Sequence, residues 1–263
     1  MAATDELLPL FARREQLLEQ LQGGTPSKAA LADRLPISRS TVDRSIRSLT
    51  TAGIVQRKRG GYQLTLTGRL LYQEYRSYRR RVAALTQAQQ LLSALPTDTD
   101  IPPEAIVGSS VTYPEPTAPY RPMERHVEMI QRADEIDLLA TTVAPRFIDA
   151  YESQVLAGEL ELRAGLISSV AERVVTNYNE PATKMLESGR LTLQELKQQP
   201  PFSFTIIRAG DQEFFSLLIY GSEGLNGYLV NERPAAIQFA RELFDSYWQE
   251  TTPLRMQDSR VSS

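Results

Sequence analysis

The stretch Ala30-Leu31-Ala32-Asp33-Arg34-Leu35-Pro36-Ile37-Ser38-Arg39-Ser40-Thr41-Val42 decides how this chain reads. Pro36 cannot continue a helix, because its ring removes a backbone N–H and clashes with the preceding turn. Two residues on, the Ser38 hydroxyl can accept from the amides that the first turn of a new helix leaves unpaired. The segment is the end of one helix, a tight turn and the start of another.

Working outward, residues 4–21 form an amphipathic helix with Leu7, Leu10, Phe11, Leu17, Leu18 and Leu21 at helical spacing. Gly23-Gly24 ends it, and Thr25-Pro26 starts the next, as cap and first helical residue. That second helix carries Lys28 and runs to about Leu35. The third helix, about Arg39 to Ala52, sets Val42, Ile46 and Leu49 in a narrow apolar stripe. Ser40, Arg44, Arg47 and Ser48 point the other way, with Thr41 at the edge. Arg can bond guanine O6 and N7 together, and Ser or Thr can donate or accept as a base requires. Gly53 stops the helix.

Ile54-Val55-Gln56-Arg57-Lys58 and Tyr62-Gln63-Leu64-Thr65-Leu66 alternate as strands. Arg59-Gly60-Gly61 between them makes a tight hairpin, the paired glycines permitting positive φ. Helix, turn, helix and basic hairpin is the layout of a winged helix, whose recognition helix enters the major groove while the wing lies on phosphate. Lys28, Arg39, Ser40, Thr41, Arg44, Arg47, Ser48, Arg57, Lys58 and Arg59 are the expected contacts to double-stranded DNA.

The opening stretch resembles the x-L-A-x-x-L-x-x-S-x-S-T-V core of prokaryotic winged-helix regulators. Leu49-Thr50-Thr51-Ala52-Gly53-Ile54-Val55 resembles their L-x-x-x-G-[IL]-[IV] passage into the wing. The resemblance covers roughly residues 5–68.

A long helix is expected from residue 69 to 95. Leu71, Tyr75, Tyr78, Val82, Leu85, Gln89 and Leu92 step alternately by four and three, a heptad seam. The expected partner of Leu71, Tyr75, Tyr78, Val82, Leu85 and Leu92 is a second copy of the chain. The same stripe packed on the protein's own domains is the alternative. Arg76, Arg79, Arg80 and Arg81 add a basic patch, for flanking phosphate or for acids of the second domain.

Seven of the 16 prolines fall between residues 95 and 122, so residues 96–121 read as a linker with a short edge strand within 105–112. Residues 122–250 alternate helices (122–134, 144–157, 167–177, 181–189, 234–249) with strands (136–142, 160–167, 202–208, 213–220, 225–230). The first two strands suit neighbours in a βαβ unit. Residues 251–263 are expected to be a disordered tail. The fold class is thus an α+β winged-helix N-terminal domain (1–68), a long connecting helix, and an α/β C-terminal domain with a mixed sheet.

Gly224-Leu225-Asn226-Gly227-Tyr228-Leu229-Val230 and Phe239-Ala240-Arg241-Glu242-Leu243-Phe244-Asp245-Ser246-Tyr247 make residues 100–250 similar to a second family. It is that of archaeal winged-helix regulators with a middle domain of the methanogenesis-regulatory-protein type. The resemblance implies a phospholipase-D-like layout without catalysis, used for ligand sensing or assembly; relatives of this broad class sense sugars or other metabolites. Open α/β sheets hold ligands at strand ends. Thr141, Thr142, Arg163, Arg208 and Tyr220 are therefore the candidates for a small-molecule effector.

Composition narrows the chemistry. The chain has no cysteine, so disulfides, thiolate catalysis and cysteine-held metals are excluded. Its one histidine, His126, cannot supply the paired His-x-Lys motifs of a phospholipase D, and reads as a partly exposed structural residue of a helix. Asp134, Glu135 and Asp137 read as a solvated helix end. No catalytic residue, metal or cofactor is expected, no run is long enough to span a membrane, and the start lacks a signal-peptide pattern.

The formal net charge of −3 conceals a split. Residues 1–93 carry 15 basic and 7 acidic side chains, net +8; the remainder carry 14 and 25, net −11. A basic head and an acidic body suit a cytoplasmic, homodimeric, sequence-specific transcription regulator. Two other readings stay open: a winged-helix module that binds protein in a transcription or replication complex, and a metabolite-binding enzyme with an appended DNA-binding head.

Overall fold

The computed structural model describes residues 4–221, 224–254 and 256. The chain divides into two compact units between Val82 and Ala83.

The first unit holds α1 (Thr4–Gln22), α2 (Lys28–Arg34), α3 (Arg39–Thr51), β1 (Val55–Lys58) and β2 (Gly61–Leu64), and most of α4 (Leu66–Gln87). The stripe on α3 is wholly buried: Val42, Ile46 and Leu49 meet Phe11, Leu18, Leu31, Ile54 and Tyr72 in one core. Ser38 caps α3 by accepting from the Thr41 amide at 3.2 Å. The cap of α2 is Ser27, which accepts from the Ala30 amide at 3.2 Å, and not Thr25. Pro26 stays outside the helix because its carbonyl accepts from the Tyr62 amide at 3.0 Å. The paired glycines of the hairpin have different tasks. Gly60 takes the positive φ of 91°. Gly61 is needed for close approach, since a Cβ there would lie 2.2 Å from the Pro26 carbonyl oxygen.

The expected seam is divided up within the chain. Tyr75 is buried against Phe11, ring centroids 5.6 Å apart, and Leu71 packs against the same core. Leu85 and Leu92 pack into the second unit's core. Tyr78 and Val82 stay open, 54% and 43% exposed. A heptad spacing marks a stripe to be buried without saying against what. The helix also ends earlier than expected, at Gln87, and the short α5 (Gln89–Leu92) follows. Within the arginine patch, Arg79 pairs with Glu15, and Arg76 donates to the Gln22 side chain at 3.1 Å.

The second unit is built on an eight-stranded mixed sheet. After α5 come α6 (Pro103–Ile106), β3 (Ser110–Thr112), α7 (Arg121–Ile130), β4 (Glu135–Ala140), α8 (Pro145–Ala157), β5 (Glu161–Leu166), α9 (Ser168–Asn177), α10 (Asn179–Glu187) and β6 (Leu191–Leu196). Then β7 (Ser203–Ala209), β8 (Gln212–Gly221), β9 (Gly224–Asn231), α11 (Pro234–Trp248) and β10 (Thr251–Pro253) complete it. The strand order is β10-β6-β5-β4-β7-β8-β9-β3. β4, β5 and β6 are parallel, as βαβ crossovers require, and the other pairings are antiparallel. Helices α7 to α10 cover one face through Ile130, Phe147, Tyr151, Val170 and Met185. On the other face α5, α6 and α11 pack Leu91, Ile106, Ala240 and Phe244 onto Phe204, Phe215 and Leu217.

Three expectations change here. The proline-rich stretch is more than a linker: its expected edge strand is β3, paired with β9, and buried Asn231 donates to the Ala105 carbonyl of α6 at 2.9 Å. The strand β6 stands where none was expected. Its partner β10 takes Thr251–Pro253 out of the expected disordered tail, Thr251 opposite Leu196; residues 257–263 of that tail lie outside the described residues. No described helix is long and apolar enough to cross a membrane.

Candidate nucleic-acid interface

Helix α3 presents Arg39, Ser40 and Arg44 to solvent because its apolar stripe is spent on the core. Thr41 and Ser48 are half-buried. At the helix start the Ser38 hydroxyl lies 2.9 Å from both the Ser40 and Thr41 hydroxyls, so the two hydroxyls are held in place by the cap. Ser45, on the inner side, is buried and donates to the Thr41 carbonyl at 2.7 Å.

The hairpin carries Arg57, Lys58 and Arg59, all exposed. Among the described residues no ion pair engages Arg39, Arg44, Arg57, Lys58 or Arg59. Two other expected contacts are differently placed. Lys28 forms an ion pair with Asp43 of α3, and its ammonium lies 5.5 Å from the centre of the Tyr62 ring. The Asp43 carboxylate raises the Lys28 pKa, and Lys28 in turn holds Asp43 below the usual carboxylate range. Arg47 bonds the other Asp43 oxygen at 3.0 Å while its side chain stays 79% exposed. Lys28 is thus a tie between α2, α3 and β2 rather than a free cation. Asp43 was the residue missing from the sequence reading; an acid one helical turn before Arg47 was its signal.

The residues proposed for an effector do not share one site. The Arg163 guanidinium makes two 2.5 Å bonds to Asp137 and lies 5.0 Å from the Phe244 ring and 5.6 Å from Trp248, on the α11 side. Arg208 pairs with Glu135 at 2.6 Å and Glu213 at 3.6 Å. Both are neutralised within the fold, and Glu135 and Asp137 are strand residues of β4, not a solvated helix end. Asp134 accepts from the Gly210 amide at 2.5 Å. On the opposite face, Thr141 donates its amide to the Ser203 hydroxyl at 2.9 Å, Thr142 lines a cavity, and Tyr220 is half-buried.

His126 is buried, 4% exposed, rather than partly exposed as expected. Its Nδ1 lies 3.3 Å from the Tyr228 hydroxyl and its Nε2 3.4 Å from that of Tyr151, with Phe147 edge-on at 5.0 Å. Burial pushes its pKa down to about 4, so the ring is neutral at physiological pH.

Comparison with known proteins adds the following. The family described as methanogenesis regulatory protein FilR1, middle domain, matches residues 119–250. The family described as HVO_A0261 N-terminal domain matches residues 4–87. No curated protein matches the chain. Among solved structures, TrmBL2, titled an archaeal chromatin protein with a novel mode of DNA binding, is 17% identical over 95% of this chain and 100% of its own, TM-score 0.42. The phospholipase D family member Nuc from Salmonella typhimurium is 14% identical over 56% of this chain and 98% of its own, TM-score 0.40. NucT from Helicobacter pylori is 12% identical over 55% and 98%, TM-score 0.41. The match over residues 119–250 takes in half of the chain, which belongs to the family of the methanogenesis regulatory protein FilR1 middle domain.

Proposed function

We propose that this protein is a sequence-specific, DNA-binding transcription regulator that works in the cytoplasm as a homodimer. In this reading the first unit is a winged helix-turn-helix: α3 enters the major groove, and the β1–β2 tip lies on phosphate. The observation that carries it is the set of five exposed cations on α3 and the hairpin, Arg39, Arg44, Arg57, Lys58 and Arg59, that no carboxylate of the described residues neutralises. Membership of a regulatory-protein family supports the same reading. The second unit serves as the ligand-responsive part. It carries out no catalysis in this reading, since its one histidine is buried among aromatic rings, neutral, and held by two tyrosines.

Tyr78 and Val82 favour the dimer, as the two members of the α4 seam that the chain's own cores leave open. A two-fold regulator reads two half-sites about one helical turn apart, or a multiple of that. Selection of bound duplexes from a random pool by the full-length protein tests this. An enriched inverted repeat with half-site centres about 10 base pairs apart, or a multiple, is the expected outcome. Recovery of unselected sequence would count against sequence-specific reading.

A further inference from the structure

A cavity of about 80 Å³ lies between the sheet and α7 to α10, above β4, β5 and β6. It reaches partial exposure at Thr142, Val143 and Ile148, in the loop after β4 and the first turn of α8. That is the carboxyl end of a parallel strand, where open α/β sheets receive ligands. We infer that this cavity binds a small neutral molecule, mainly apolar, with a single hydroxyl or carbonyl oxygen.

The walls decide the class. Most are hydrocarbon, from Ala164, Leu166, Val174, Met185 and Leu193, and no Asp, Glu, Lys or Arg is among the lining residues. An ionised occupant would give up its hydration and meet no opposite charge. His126 supplies none, being neutral at physiological pH. Size sets a second limit: an apolar cavity of about 150 Å³ takes benzene, with its six heavy atoms, so this one, about half as large, suits an occupant of roughly three to four heavy atoms.

One oxygen on that occupant follows from the polar groups. Tyr151, His126 and Tyr228 form one chain, with 3.4 Å from Tyr151 to His126 and 3.3 Å from His126 to Tyr228, and Ser216 and Thr205 form a second, 2.5 Å apart. Each group, when neutral, carries one polar hydrogen. Three bonds consume three of the five hydrogens and leave one in each chain. Four of the five groups line the cavity, Tyr228 being the exception, so one occupant oxygen, with its two lone pairs, can accept from both chains. A polyol would bring more hydroxyls than the apolar walls can match, and each unmatched one weakens binding.

This inference deepens the ligand-responsive part of the proposed function, and it is tested without DNA. Methyl-resolved NMR of the full-length protein, titrated with propan-2-ol, acetone, acetate and ethylene glycol, separates the chemistries at constant size. Propan-2-ol and acetone should give saturating shifts at the Ala164, Met185 and Leu193 methyls, and acetate and ethylene glycol should bind about tenfold more weakly or worse. Ala164→Val on the sheet and Ala182→Ile on α10 fill the cavity from opposite walls, and whichever variant folds should lose the shifts. Acetate or ethylene glycol binding as tightly as propan-2-ol would overturn the inference. So would no shift from either neutral probe, or binding that survives in a folded, filled variant. DNA binding, measured separately, can fail while these shifts persist, and the reverse holds too.

Discussion

Lys28 and Asp43 form one ion pair that ties α2 to α3, and Arg47 shares the same carboxylate. The helix proposed to meet DNA therefore carries its own anion, placed between two of the cations expected to meet DNA. An acid near the phosphate backbone opposes binding to every sequence alike. Removing it frees Lys28 and Arg47 together. Asp43→Asn should tighten binding to random duplex and steepen its salt dependence, by about one further phosphate in the slope of log affinity against log salt. A fluorescence-anisotropy salt series on random duplex reads both quantities; an unchanged slope would remove Lys28 and Arg47 from the interface.

Arg44 and Arg59 should part company. Arg44, on the exposed face of α3, is placed to read a base, so Arg44→Ala should cost about 1–3 kcal/mol on the selected operator and relax preference at one position. Arg59, at the hairpin tip, is placed for phosphate, so Arg59→Ala should weaken specific and random duplex alike. Equal losses on both duplexes for Arg44→Ala would contradict its assignment.

Two tyrosines three residues apart on α4 make opposite predictions. Tyr75 is 6% exposed and Tyr78 is 54% exposed. Tyr75→Ala should destabilise the head by about 3–5 kcal/mol in urea unfolding, as deletion of a buried aromatic does. Tyr78→Glu should leave the head folded and halve the mass seen by light scattering, because a charge would be buried at the seam. An unchanged mass would place the dimer contact elsewhere.

His126 makes stability depend on pH. Its folded pKa of about 4 lies below the model-compound 6.5, so between these values the unfolded chain binds the proton and the folded one does not. Stability from this group is complete above about pH 6.5 and is lost as pH falls toward 4, a span worth roughly 3 kcal/mol. Burial raises the pKa of Tyr151 and Tyr228, so neither titrates in that window. Urea unfolding from pH 7.5 to 5 should show the decline in the native protein and a flatter profile in His126→Gln; equal slopes would contradict it.

Much of the fold was legible because local physics and tertiary packing agree. The α3 stripe, the Ser38 cap and the β4–β5 pairing each follow from spacing and residue type. What escaped depends on partners distant in the chain. β6 and β10 are held by each other, Thr251 opposite Leu196, and a three-residue Thr-Thr-Pro strand has no signal of its own. Lys28 and Asp43 lie on different helices, and only packing brings them together. The misplacement of Arg163 was avoidable. In β5, Leu162, Ala164 and Leu166 alternate with it and are buried on the helix α8–α10 side, which sends Arg163 to the opposite face.

The most direct test of the central claim is the affinity of full-length protein for a labelled duplex across 50 to 300 mM salt, set beside an Arg57→Ala, Lys58→Ala, Arg59→Ala triple variant. Phosphate contact by the hairpin predicts that log affinity falls linearly with log salt, and that the variant's slope is shallower by about three times 0.9. Binding that ignores salt, or a variant with the native slope, would contradict the assignment of this basic surface to DNA.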